Sequence, residues 1–193
     1  MKAVQNLPEG YEEIYSVNLQ KDKKAALMVN LLACLIAVVM VVPACFLAPI
    51  SSLFDMRAGL GSFSIKMLLI FVLMVAYLTL HELTHGVAMK ICGTQKIKYG
   101  FTGLYAFAGS NDYYGKKAYT FIALAPVVLW AIILAIVNIL VPAAWFWIIY
   151  IIQICNISGA AGDLFVTVRF SRFPEDILVK DSGVGMTVYA RKD

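Results

Sequence analysis

The chain predicts an all-α transmembrane bundle of four spans, both termini cytoplasmic, with short β-strand or hairpin segments at the cytoplasmic surface. Three observations predict it. Hydrophobic residues make up 61% of the 193 positions, where a soluble domain averages about half. Only 15% are charged, and those cluster between long uncharged runs. The runs supply four stretches of the roughly 20 residues needed to cross about 30 Å of hydrocarbon.

Residues 1–24 are polar and read as a cytoplasmic N-terminal segment, in which Tyr11-Glu12-Glu13-Ile14-Tyr15-Ser16-Val17 has the composition of a surface strand. They carry no signal-peptide pattern, so the first span is the expected insertion signal. That span, about 25–50, has no charge, and Pro43 and Pro49 bend or end it. The second runs from about 63 to 89. The loop 90–117 holds Lys96-Ile97-Lys98-Tyr99-Gly100-Phe101 and Leu104-Tyr105-Ala106-Phe107-Ala108, punctuated by Gly100 and Gly103, and reads as a short hairpin or extended strand. The uncharged run that follows is too long for one span. Asn138, Pro142 and Ala143-Ala144 divide it into a third span, about 118–140, and a fourth, about 144–169. Pro126 inside the third reads as a kink. Trp145 and Trp147 fall where interfacial aromatics belong. Residues 25–170 thus form one membrane domain. In the tail, 171–193, Ile177-Leu178-Val179 and Met186-Thr187-Val188-Tyr189 flank Asp181-Ser182-Gly183 as a small hairpin.

Orientation follows from Lys and Arg. Four lie in the N-terminal segment, two (Arg57 and Lys66) beside the first loop, five in the second loop, none in the third and five from Arg169 onward. The positive-inside rule places both termini and the second loop in the cytoplasm. A bacterial cytoplasmic membrane is the expected location. The net charge of +4 does not point to nucleic acid, because the basic residues flank apolar spans. None of the four cysteines forms C-x-x-C and three lie in apolar runs, so they read as small buried apolar residues. Nothing in the sequence sets the oligomeric state.

The second span carries His81-Glu82-Leu83-Thr84-His85, and these are the only two histidines of the chain. Ionisable groups at membrane depth are costly and mark function by default. On a helix, residues four apart share a face, so both imidazoles can reach one ion. Glu82 lies between them in angle, placed to hold water without ligating. Zinc takes three protein ligands in such sites, and no further histidine exists. Of the twelve acidic residues, only Glu82 and Asp163 fall at membrane depth. His81 is 15 residues past Lys66, about 22 Å along a helix, and Asp163 is 18 past Trp145, about 27 Å. Both lie in the cytoplasmic half. Asp163 is the expected third ligand, with Cys92 or Cys155 as alternatives. Asn156, Gly159, Ala160 and Asp163 recur at helical spacing, giving a small-residue face on which spans approach closely. Asn156 is placed to bond substrate or a ligand, or to serve as helix–helix glue.

These residues resemble a known group. Gly10-Tyr11-Glu12-Glu13-Ile14, His81-Glu82-Leu83-Thr84-His85-Gly86, Leu124-Ala125-Pro126 and Ser158-Gly159-Ala160-Ala161-Gly162-Asp163-Leu164 look like the small bacterial "putative zincin peptidase" membrane family, and more broadly like the site-2 protease class of intramembrane zinc metalloproteases. The resemblance implies one Zn2+ held by His81, His85 and Asp163, with Glu82 as catalytic base. Better-characterised site-2 proteases carry Asn-Pro-Asp-Gly at the third ligand; here Gly162 precedes Asp163 and no proline adjoins it.

The expected activity is hydrolysis of peptide bonds in membrane or juxtamembrane substrates, with water activated by zinc and Glu82. A substrate helix must unwind first, and strand addition to segment 96–108, with Tyr99 and Phe101 as contacts, would hold it extended. The alternatives are a non-hydrolytic membrane metal-binding or transport protein using the same ligands, and a scaffold whose polar cluster only joins helices.

Overall fold

The computed structural model describes residues 2–54, 59–103 and 105–192. Arg57, used for topology, and Leu104, in the loop motif, lie outside them.

Among the described residues, four helical segments are long and apolar enough to cross a membrane. They are α1 (Lys23–Leu47), α2 (Leu60–Ile91), α3 (Lys116–Leu140) and the stretch Ala143–Ser171. Their local signals are conventional. Asp22 opens α1 by accepting from the Lys24 and Ala25 amides at 3.0 Å each. Gly93, at φ +98°, closes α2: its N–H bonds the Lys90 carbonyl and the Thr94 N–H bonds the Met89 carbonyl, a Schellman arrangement. Pro43 lies inside α1, and Pro49 follows its end.

The fourth stretch differs from the expected single helix. It is α4 (Phe146–Gly159) and α5 (Ala161–Ser171), separated at Ala160. Two residues explain the break. Ser158 turns its hydroxyl back onto the Ile154 carbonyl at 2.8 Å, which bends helices, and Gly159 is a poor helix former. The helical spacing that linked Asn156 to Asp163 therefore does not run on one continuous helix.

The short strands are present and antiparallel. β2 (Lys98–Phe101) and β3 (Ala106–Gly109) form the loop hairpin, with Tyr99 opposite Ala108. β5 (Leu178–Asp181) and β6 (Met186–Arg191) form the tail hairpin. The sequence read these as separate surface pieces. The structure instead joins the tail hairpin to β1 (Tyr11–Val17) and β4 (Tyr113–Gly115) in one sheet of order β1-β6-β5-β4.

The chain divides into two compact units. The first comprises Met1–Val29, His81–Pro126 and Gly162–Asp193. It contains both sheets, and its core is built by Met89, Cys92, Tyr114, Ile122, Val166, Phe170, Val179 and Val188. Buried among them, the Tyr114 hydroxyl lies 2.6 Å from both Thr94 Oγ1 and Ser110 Oγ. Lys116 closes α5 by donating to the Ser171 and Phe173 carbonyls.

The second unit comprises Asn30–Leu80 and Val127–Ala161. Ala44, Leu53, Trp147 and Ile148 form its core, with Met67, Ile70, Leu73 and Tyr150 packed on it. Trp147, expected at an interface, is 2% exposed, and its indole N–H donates to the Ala48 and Pro49 carbonyls just past α1. Trp145 keeps 39% of its surface.

Candidate metal centre

The centre belongs entirely to the first unit. α2 presents His81 and His85 one turn apart, with ring centroids 5.0 Å from each other. α5 presents Asp163 in its first turn, where the unpaired N–H groups and the helix dipole favour an anion. The interruption at Ala160 is what creates that helix start.

Asp163 Oδ2 lies 3.6 Å from His81 Nε2 and 3.6 Å from His85 Nε2. That separation is longer than a hydrogen bond. Tetrahedral ligands at about 2.0–2.1 Å from one ion stand about 3.3–3.4 Å apart, so the spacing suits a shared cation. All three ligand atoms fall within 4.8 Å of one another. The donor set, two imidazoles and a carboxylate, is chemically suited to zinc. Among the described residues this is the metal-competent cluster, and neither Cys92 nor Cys155 belongs to it. Cys92 is a core residue of the first unit, 2% exposed, and burial pushes its thiol pKa up. The histidine side chains keep 9% and 11% of their surface and Asp163 keeps 26%, so the site is open on the carboxylate side.

Backbone groups hold the site from outside. His85 Nδ1 lies 3.0 Å from the Ile122 carbonyl of α3. The Ala108 N–H of β3 faces the Glu82 carboxylate. Residue type gives no signal for either group, and the sequence reading missed both.

The hairpin β2–β3 is seated by glycines. A side chain at Gly86 would overlap the Tyr99 hydroxyl, so Tyr99 rests on the motif helix one residue after His85. Gly86 and Glu82 are four apart and share a face. The Phe107 ring fills the spaces that side chains at Gly100 and Gly183 would need. The Ser110 N–H bonds the Asp181 carbonyl at 2.8 Å, tying the hairpin to β5. The Asp181 carboxylate accepts from Gly183 N–H at 2.8 Å and from the Tyr119 hydroxyl at 2.9 Å. Burial raises the Asp181 pKa, opposed by those two bonds.

The residues expected to meet substrate are distributed. Tyr99 is 50% exposed and Phe101 72%, both on β2. Asn156 belongs to the second unit and is fully buried. Its amide accepts from the Tyr77 hydroxyl at 3.0 Å and donates to the Val127 carbonyl at 3.1 Å. Those bonds use both ends of its amide within that unit.

No curated protein and no solved structure matches the chain. A family match covers residues 73–178, more than half the chain, including α2 from before His81, the hairpin, α3 and Asp163. The two histidines, the carboxylate between them and the aspartate that completes the cluster all fall inside the matched segment, and the chain belongs to the family described as "Putative zincin peptidase".

Proposed function

We propose that the protein is a zinc-dependent intramembrane peptidase that hydrolyses peptide bonds of membrane or juxtamembrane substrates. The observation that carries the reading is the His81–His85–Asp163 cluster, borne on helices of membrane-crossing length with Glu82 beside it. His81, His85 and Asp163 would hold one zinc ion. Zinc bound there supplies a Lewis acid that acidifies water and polarises a carbonyl.

The remaining work falls to the chain's own groups. Glu82, faced by the Ala108 N–H, takes a proton from water and delivers it to the leaving amine. The Ile122 carbonyl keeps His85 oriented. The hairpin offers a template for an extended substrate. Thr102 N–H bonds the Tyr105 carbonyl, so by alternation the main-chain groups of Ala106 and the carbonyl of Ala108 point out of the hairpin along β3, while the Ala108 N–H faces Glu82. A substrate strand laid along the hairpin would be read by main-chain bonds, with Tyr99 and Phe101 beside it.

Membrane residence is supported by the apolar side chains that α1 and α2 leave exposed, among them Leu31, Leu35, Val38, Leu68, Phe71 and Val75. They suit hydrocarbon. The Lys and Arg distribution supports cytoplasmic termini and a centre in the cytoplasmic half of a bacterial cytoplasmic membrane.

The test compares wild type with Glu82→Gln. Both are expected to purify with one zinc per chain, and only membranes containing wild type should accumulate new cleavage fragments by terminal-peptide mass spectrometry. Zinc retained by both with identical fragment patterns would favour the metal-binding or transport alternative. A zinc-free wild type would leave only the scaffold. Reporter domains fused to each terminus should both be active on the cytoplasmic side.

A further inference from the structure

Pro126 lies within α3, in the first unit, and is fully buried. In a regular helix the N–H of residue 126 would bond the carbonyl of residue 122. Proline has no N–H, and its ring crowds the carbonyl four residues back. The Ile122 carbonyl is therefore released from the α3 ladder. It is this carbonyl, at 3.0 Å, that meets His85 Nδ1.

The pairing determines the chemistry of His85. A carbonyl oxygen only accepts, so Nδ1 carries a proton, and in the neutral ring Nε2 is left with its lone pair. Nε2 is the atom that lies 3.6 Å from Asp163 Oδ2. The exchange also serves the helix. An unpaired carbonyl is costly in hydrocarbon, and proline is tolerated in a spanning helix where a neighbouring side chain satisfies the group it frees.

We infer that Pro126 is a positioning residue of the metal centre: by freeing the Ile122 carbonyl, it selects the tautomer and orientation in which His85 offers Nε2 to a metal. The inference rests on the zinc-site reading above. It gives Pro126 a role beyond kinking a span.

Pro126→Ala supplies the missing N–H. That N–H competes with His85 for the Ile122 oxygen, and alanine also suits a helix interior far better than proline. Helix stability and metal affinity should therefore move in opposite directions, which a purely structural proline would not produce. The measurements are zinc affinity of the metal-stripped protein, by competition with a chromophoric chelator, and detergent-titrated unfolding of the same metal-free sample. Wild type should bind one zinc. Pro126→Ala should unfold no more easily, yet bind zinc roughly tenfold or more weakly, as when a histidine ligand loses its outer partner. Equal affinity in the two proteins overturns the inference, whereas a wild type that binds no zinc overturns the zinc reading beneath it.

Wild type alone supplies a second measurement should the variant not fold. With two histidines in the chain, nitrogen-15 spectra of the metal-free protein resolve each tautomer. His85 protonated at Nδ1, with slow exchange, supports the inference. Protonation of His85 at Nε2 instead refutes it.

Discussion

Gly86→Ala tests how the loop hairpin is held on the motif helix. A Cβ built on Gly86 overlaps the Tyr99 hydroxyl oxygen and lies 2.7 Å from the phenol Cζ. The ring must therefore move as a body. Overpacking a well-packed site costs about 1–3 kcal/mol, and the 50% exposure of Tyr99 gives the ring somewhere to go, which keeps the cost to about 2 kcal/mol. Against this, alanine in a helix interior is better than glycine by about 1 kcal/mol. In a Tyr99→Ala background the overlap is gone and only that gain remains. The same substitution should thus destabilise wild type by about 1 kcal/mol net and stabilise the Tyr99→Ala protein by about 1 kcal/mol, a coupling of about 2 kcal/mol between the two positions. Unfolding by a denaturing detergent in mixed micelles, followed by far-ultraviolet circular dichroism, gives all four stabilities of the cycle. If Gly86→Ala stabilises both backgrounds equally, the phenol does not rest on Gly86 and the seating of the hairpin is wrong. Because Gly86 shares a face with Glu82, the single variant should also lose peptidase activity by a larger factor than it loses zinc.

Three further outcomes follow from the same contacts. Asp163→Ala should reduce zinc affinity by more than about 100-fold, beyond the loss expected for an outer-shell partner, in the same chelator competition; undiminished affinity would remove Asp163 from the ligand set. Asn156→Ala should destabilise the second unit by about 1–3 kcal/mol, because it leaves the buried Tyr77 hydroxyl without that acceptor, while zinc content stays at one per chain. Dialysis against a strong chelator should abolish cleavage, and zinc alone should restore it; restoration by magnesium instead would contradict a two-histidine, one-carboxylate donor set.

The four apolar helical stretches were legible because crossing hydrocarbon would require a length and a composition that all four have. His81, Glu82 and His85 were legible for a similar reason, since three ionisable groups in an apolar run need an explanation. Asp163 could be reached by elimination, but its setting could not. The break at Ala160 depends on Ser158 folding back and on Gly159, and no proline announces it. Asn156 shows the cost of that omission: its spacing to Asp163 looked like a shared face, yet its bonds run to Tyr77 and Val127. The long-range sheet was hidden as well. Nothing local in Tyr11–Val17 says that its partner is Met186–Arg191, because strand pairing is decided by neighbours far away in sequence.

That pairing bears on when the protein acquires its chemistry during synthesis. Tyr11 lies opposite Arg191 and Val17 opposite Met186, and β6 sits between β1 and β5. Tyr11–Val17 thus waits for Met186–Arg191, made much later. Ribosomes add about 5–20 residues per second, so β1 stands without its partner for roughly ten to thirty seconds while the intervening helices are made. The unit that carries the candidate metal centre closes only once β6 has emerged, so until then the sheet beside that centre is unfinished.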